Sequence, residues 1–208
     1  MPESLDAPVN IVIVTFEGFN EIDSFVALNL LNRVEHDDWR ADIIAPNDQA
    51  TSMNSVTIHT QKTFSTVNQA DVVLFGSGRL TRSIIQDEAL MSYFQLEPSR
   101  QLIGSQCSGA LILKRLGLVE GVPICTDDST QNYLSETDIQ ILAQPFTAHG
   151  NIATAGGCLS AQYLAAWVIY RKLGKQAVID ALSYIAPVGE QQNFIQHTLE
   201  IVETGINN

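Results

Sequence analysis

The strongest constraint on this chain is a repeated change of period. Short β-branched runs alternate along it with longer stretches in which apolar residues recur every three or four positions. That alternation predicts an α/β domain whose parallel strands are joined by crossover helices. The predicted core strands are residues 11–16, 41–45, 72–75 and 102–106; the first and third are nearly unbroken apolar runs, as strands covered on both faces must be. Helices are expected over 20–30, 87–96, 107–116, 158–173, 175–185 and 190–203. In the first of these Asn20 can cap, Asp23 takes the third helical position, and Ile22, Phe25, Val26, Asn29 and Leu30 share one side. Gly174 is read as a helix C-terminal cap. Two hairpins are predicted, one pairing 56–58 with 63–64 and one pairing 141–148 with 152–155 around His149-Gly150-Asn151.

The 208 residues contain no repeat, linker or low-complexity segment, so one domain over 1–208 is expected. Only 11 Lys and Arg stand against 23 Asp and Glu, a formal charge of -12, and no basic cluster is present to meet phosphate. A nucleic-acid partner is therefore excluded. No apolar run reaches the roughly 18 residues of a membrane span. The first ten residues, MPESLDAPVN, show no basic end followed by an apolar stretch, and a soluble, cytoplasmic protein without membrane partners is expected. Cys107, Cys125 and Cys158 form neither a disulfide framework nor a metal clip and are read as free thiols. The acidic stretch 120–138 lacks His or Cys at ligand spacing, so it reads as solvated surface; no metal and no cofactor are expected.

Parallel strands of this kind hold ligands beyond their carboxyl ends, which directs attention to three segments. In Ser105-Gln106-Cys107-Ser108-Gly109 the small residues two before and two after Cys107 suit a sharp strand-turn-helix elbow. The elbow would place the thiol at a helix N-terminus, whose partial positive charge favours thiolate; Cys107 is expected to be exposed there and to react fastest of the three cysteines. Cys125 and Cys158 lie in apolar contexts, and Cys158, near a helix start, is the better rival. In Gly76-Ser77-Gly78 the backbone N–H groups of Gly76 and Ser77 could face a developing oxyanion. In Glu17-Gly18-Phe19-Asn20-Glu21-Ile22-Asp23, the Asp23 carboxyl either completes a helix cap or reaches over the strand ends toward the thiol. As a cap alone, its replacement by Asn should cost about 1 kcal/mol or less.

Together these segments resemble the ThiJ/PfpI superfamily, also called the DJ-one superfamily, over residues 11–188. The resemblance is carried by 16–23 (FEGFNEID), 72–78 (VVLFGSG), 106–113 (QCSGALIL), 116–118 (LGL) and 150–157 (GNIATAGG). It implies a flavodoxin-like three-layer sandwich with a mostly parallel central sheet, of the class I glutamine amidotransferase type, and a homodimer. The arrangement is most similar to the isonitrile hydratase-like branch, which implies catalytic roles for Asp23, Cys107 and Ser108 on a small-molecule substrate, hydrating an isonitrile to an N-substituted formamide. The alternative is a redox or small-molecule sensor in which Cys107 is oxidised to a sulfinate beside the same acid. Many members carry a histidine about twenty residues beyond the cysteine. Thr126-Asp127-Asp128 stands there instead, which argues against a Cys-His peptidase. His36, His59, His149 and His197 are read as surface, packing or turn residues, and Tyr163, Leu164, Trp167 and Tyr170 as core or dimer contacts.

Overall fold

The computed structural model describes residues 7–134 and 137–207; the first six residues, Ser135 and Glu136 of the acidic stretch, and Asn208 lie outside them. In chain order the elements are β1 (Val9–Val14), α1 (Glu21–Leu31), β2 (Trp39–Ile44), β3 (Gln49–Thr51), β4 (Thr57–His59), β5 (Val72–Phe75), α2 (Thr81–Ile84), α3 (Glu88–Tyr93), β6 (Leu102–Gln106), α4 (Ala110–Arg115), α5 (Asp128–Leu134), β7 (Phe146–His149), β8 (Ile152–Ala155), α6 (Ala161–Ile185) and α7 (Gln191–Ile206).

Six strands form one sheet in the order β2-β1-β5-β6-β8-β7, parallel throughout except for β7, which runs antiparallel to β8 at the edge. The pleat sorts the apolar runs into two cores. Ile11, Ile13, Val72 and Leu74 point to one face, where Leu30 and Leu31 of α1, Trp167 of α6 and Val202 of α7 cover them. Val12, Val14, Val73 and Phe75 point to the other, under Met91 of α3, Leu111 to Leu113 of α4 and Leu134 of α5. Helices on both faces of a mostly parallel sheet make the expected α/β sandwich. Asp42 interrupts the run in β2 and is buried, but Arg40 at 2.7 Å and Lys62 at 2.9 Å neutralise it. No helix among the described residues is long and apolar enough to cross a membrane.

Several expectations are corrected. The first hairpin pairs 57–59 with Gln49–Thr51 rather than with 63–64; Phe64 instead starts a 3-10 turn and stacks on Tyr93. Helix α1 buries Asp23, Ser24, Ala27, Leu30 and Leu31, while Ile22 and Asn29 face solvent. Its apolar residues are spread around the helix, and the buried face combines Leu30 and Leu31 with two small side chains and one acid. Gly174, at φ +81°, does end the first helical stretch as expected, and a second one follows it across a kink within α6. Helices α2 and α5 were not anticipated; α5 hides in a polar stretch because only Thr130 and Leu134 of it are buried.

The chain leaves β1 for β2 on one side and returns to β5 on the other, so β1 and β5 flank a topological switch point. The segments following β1, β5, β6 and β8 all emerge at that end of the sheet.

Candidate active site

Strand β6 ends at Gln106, and Cys107 takes φ +47°, a left-handed conformation that L side chains avoid. A 3-10 turn over Cys107–Gly109 then feeds α4. The elbow needs its glycine: a Cβ on Gly109 would sit 2.8 Å from the Phe75 carbonyl oxygen and 2.9 Å from that of Gly76. Cys107 is thereby pressed against the end of the neighbouring strand. It is only 4% exposed, which corrects the expectation of an exposed thiol, although it lines a cleft of about 380 Å³ at the switch point.

Asp23 meets it there. Asn20 caps α1 by accepting from the Ile22 N–H at 3.1 Å, and its own N–H donates to the Ser77 carbonyl at 2.8 Å. No capping box is closed by Asp23, whose Oδ2 accepts from the Ser77 N–H at 3.2 Å and from the Ser77 hydroxyl. Its Oδ1 is buried without a hydrogen-bond partner. One carboxylate oxygen of Asp23, the Cys107 Sγ and the Cys158 Sγ all lie within 4.8 Å of one another. These are the three donor atoms that, among the described residues, could hold a metal ion.

Burial raises the Asp23 carboxyl to about 6, against the opposing pull of the Ser77 hydroxyl and N–H and of Cys158, with Asp127 adding repulsion. Burial also pushes the Cys107 thiol up, reinforced by Asp23, Cys158 and Asp127, while the Gly157 N–H acts in the opposite direction. At neutral pH the proton of the pair therefore rests on sulfur and the carboxylate is ready to take it. Cys125 is off the cleft, and burial holds its thiol at about 12.

The predicted oxyanion donors are not free. The Gly76 N–H donates to the Val14 carbonyl at 3.1 Å, extending the strand ladder one residue, and the Ser77 N–H is held by Asp23. The next N–H along, that of Gly78, points at the Ser108 hydroxyl at 3.4 Å, and Ser108 Oγ lies 3.0 Å from Thr81 Oγ1. Ser108 is thus fixed on the cleft wall beside Cys107.

Asp127 stands on the opposite wall, in the stretch where a histidine was missed; it caps α5 by accepting from the Thr130 N–H at 3.1 Å and the Thr130 hydroxyl at 2.7 Å. Thr126 ties this segment to the elbow by donating to the Cys107 carbonyl at 2.8 Å. Among the described residues, no histidine lines the cleft. Sequence reasoning also missed the placing of Asn20, Thr81 and Cys158 here.

The model of the DJ-1/PfpI family matches residues 9–170, a span that includes Asp23, Ser77, Cys107 and Cys158. The chain belongs to the DJ-1/PfpI family. Its fold is shared with Schizosaccharomyces pombe DJ-1 (TM-score 0.73, 17% identity, 86% of this chain and 100% of that one). It is also shared with a ThiJ/PfpI family protein from Pseudomonas syringae (0.77, 17%, 98% and 92%) and Drosophila melanogaster DJ-1beta (0.75, 17%, 86% and 97%). No curated protein matches the chain at a significant level.

Proposed function

We propose that this DJ-1/PfpI protein is a cysteine-dependent enzyme acting on a small electrophilic carbon, in its most specific form the hydration of an isonitrile to an N-substituted formamide. The observation that carries this reading is the buried Asp23 carboxyl, one oxygen of which lies within 4.8 Å of the Cys107 sulfur, at a walled cleft. A carboxyl held near neutrality can both accept and return a proton during a single turnover.

In the first step Cys107 sulfur bonds to the terminal isonitrile carbon while Asp23 takes the thiol proton and delivers it to that carbon, giving a thioimidate. Water then adds to the thioimidate carbon, with Asp23 accepting one water proton and the imine nitrogen receiving the other. Collapse breaks the carbon–sulfur bond, returns the proton from Asp23 to sulfur and releases the formamide. Ser108, held by Gly78 and Thr81, supplies a hydrogen bond for the substrate nitrogen as its charge changes. The cleft suits a small substrate, being near the lower end of the usual range for ligand pockets of about 300–1,000 Å³.

Purified protein incubated with alkyl isonitriles, beside glyoxals and peptides, should release formamide, and Cys107→Ser should release none. The rate should fall on the acid side with an inflection near pH 6, where Asp23 becomes protonated and can no longer accept the thiol proton. Turnover of glyoxals or peptides without formamide release would replace the isonitrile assignment.

A further inference from the structure

The hydration scheme leaves Cys158 without a task, yet the fold carries it to Cys107 across 51 positions of sequence. Strands β6 and β8 are adjacent and in register at Gln106 and Ala155, so the residues just past both strand ends meet. Gly157, at φ +82°, turns the chain so that Cys158 enters the cleft at the head of the 3-10 turn leading into α6. Gln106 Nε2 donates to the Gly157 carbonyl at 2.6 Å and lies 3.7 Å from Cys107 Sγ, tying the two cysteine segments together.

We propose that Cys107 and Cys158 form a peroxide-responsive dithiol, in which Cys158 is the resolving thiol that closes a reversible disulfide across the cleft. Their sulfurs lie within 4.8 Å, and side-chain rotation with a small shift of the Cys158 turn has to bring them to about 2.05 Å. The two thiols are chemically unlike. Cys107 is buried, whereas Cys158 is partly exposed, sits at the start of a long helical segment and receives a hydrogen bond from Asn20 Nδ2 at 3.1 Å.

The co-reactant is a hydroperoxide. Cys107 gives its proton to Asp23 and attacks the terminal peroxide oxygen; the O–O bond breaks, and the leaving oxygen takes the proton from Asp23 as water or an alcohol. Cys107 is left as a sulfenic acid, oxidised by two electrons. Cys158 sulfur then attacks the Cys107 sulfur, the S–O bond breaks, and hydroxide departs as water with the Cys158 proton. The sum is two thiols and one peroxide giving a disulfide, an alcohol or water, and one further water. Because Cys158 intercepts the sulfenic acid, the sulfinate expected of an unguarded elbow cysteine does not accumulate. The disulfide also removes the Cys107 nucleophile, so it switches off any chemistry that depends on that sulfur.

The test is titration of the full chain with hydrogen peroxide, acid quench, alkylation, and intact and peptide mass spectrometry. The wild type should lose two hydrogens, yield a linked Cys107–Cys158 peptide with Cys125 still alkylatable, and return fully with dithiothreitol. Cys158→Ser should instead gain two oxygens on Cys107 that dithiothreitol does not remove. A wild type that accumulates a Cys107 sulfinate while Cys158 stays alkylatable, or a disulfide involving Cys125, would overturn the pairing. No isonitrile chemistry is needed for this result, so formamide release and thiol loss can fail separately; the wild-type outcome decides the pairing even where a variant folds poorly.

Discussion

Replacing Asp23 with Asn is expected to abolish turnover while making the protein more stable at alkaline pH. In the folded protein the carboxyl titrates at about 6 against an ordinary value of 3.8, because burial disfavours its charge. The folded state therefore binds a proton more tightly than the unfolded chain does. Stability linked to that proton is fully present below about pH 3.8 and is lost as pH rises through 6, amounting to about 3 kcal/mol across the window. Asn has the same shape, carries no charge at any pH, and keeps a carbonyl oxygen for the Ser77 N–H. It should recover about 1–3 kcal/mol at pH 8 and almost nothing at pH 4. Catalysis should fall by on the order of 10²–10⁴-fold, since the group that accepts and returns the proton is gone. Urea unfolding of both proteins at the two pH values, with formamide assays alongside, separates this from a helix cap. A cap would show a small loss of stability and little change in rate.

Gly156→Ala is expected to cost about 3 kcal/mol and to lower the melting temperature by roughly 6–12 °C. An added Cβ would lie 2.3 Å from the Thr126 carbonyl oxygen, 2.8 Å from its carbon and 3.0 Å from its nitrogen. All three are backbone atoms, so a side-chain rotation cannot relieve the clash. The segment that must retreat carries the Thr126 bond to the Cys107 carbonyl and, next to it, Asp127 on the cleft wall. Activity should therefore fall with stability. Gly150→Ala provides the contrast: it has open space around it, only a φ of +60° to disfavour the substitution, and an expected cost of about 1 kcal/mol. Equal melting temperatures for the two variants would show that the close approach of Gly156 to Thr126 carries no energy.

Strands such as β5 and the β7/β8 pair were legible because their neighbours agree with them: apolar runs bounded by glycine or by a turn have few other uses. Helix α1 was found but its buried face was misjudged, since Asp23 and Ser24 are buried for the cleft and break the hydrophobic rule used to orient it. The elbow was legible because close backbone approach requires small residues at fixed offsets, as Gly109 shows. Gly76 and Ser77 could be recognised as a strand end but not followed to the partners of their N–H groups, which depend on Val14 and Asp23 arriving from elsewhere. Cys158 was undervalued for the same reason: only the pairing of β6 with β8 brings it to Cys107.

The most direct measurement of the Cys107–Asp23 pairing is the pH dependence of Cys107 alkylation by a small neutral reagent, followed by peptide mapping, in the wild type and in Asp23→Asn. The Asp23 charge holds the thiol up, so removing it should carry the alkylation profile to lower pH and speed the reaction at any fixed alkaline pH, even as turnover is lost. Superimposable profiles in the two proteins would contradict a shared proton and leave the acid for the proposed chemistry unidentified.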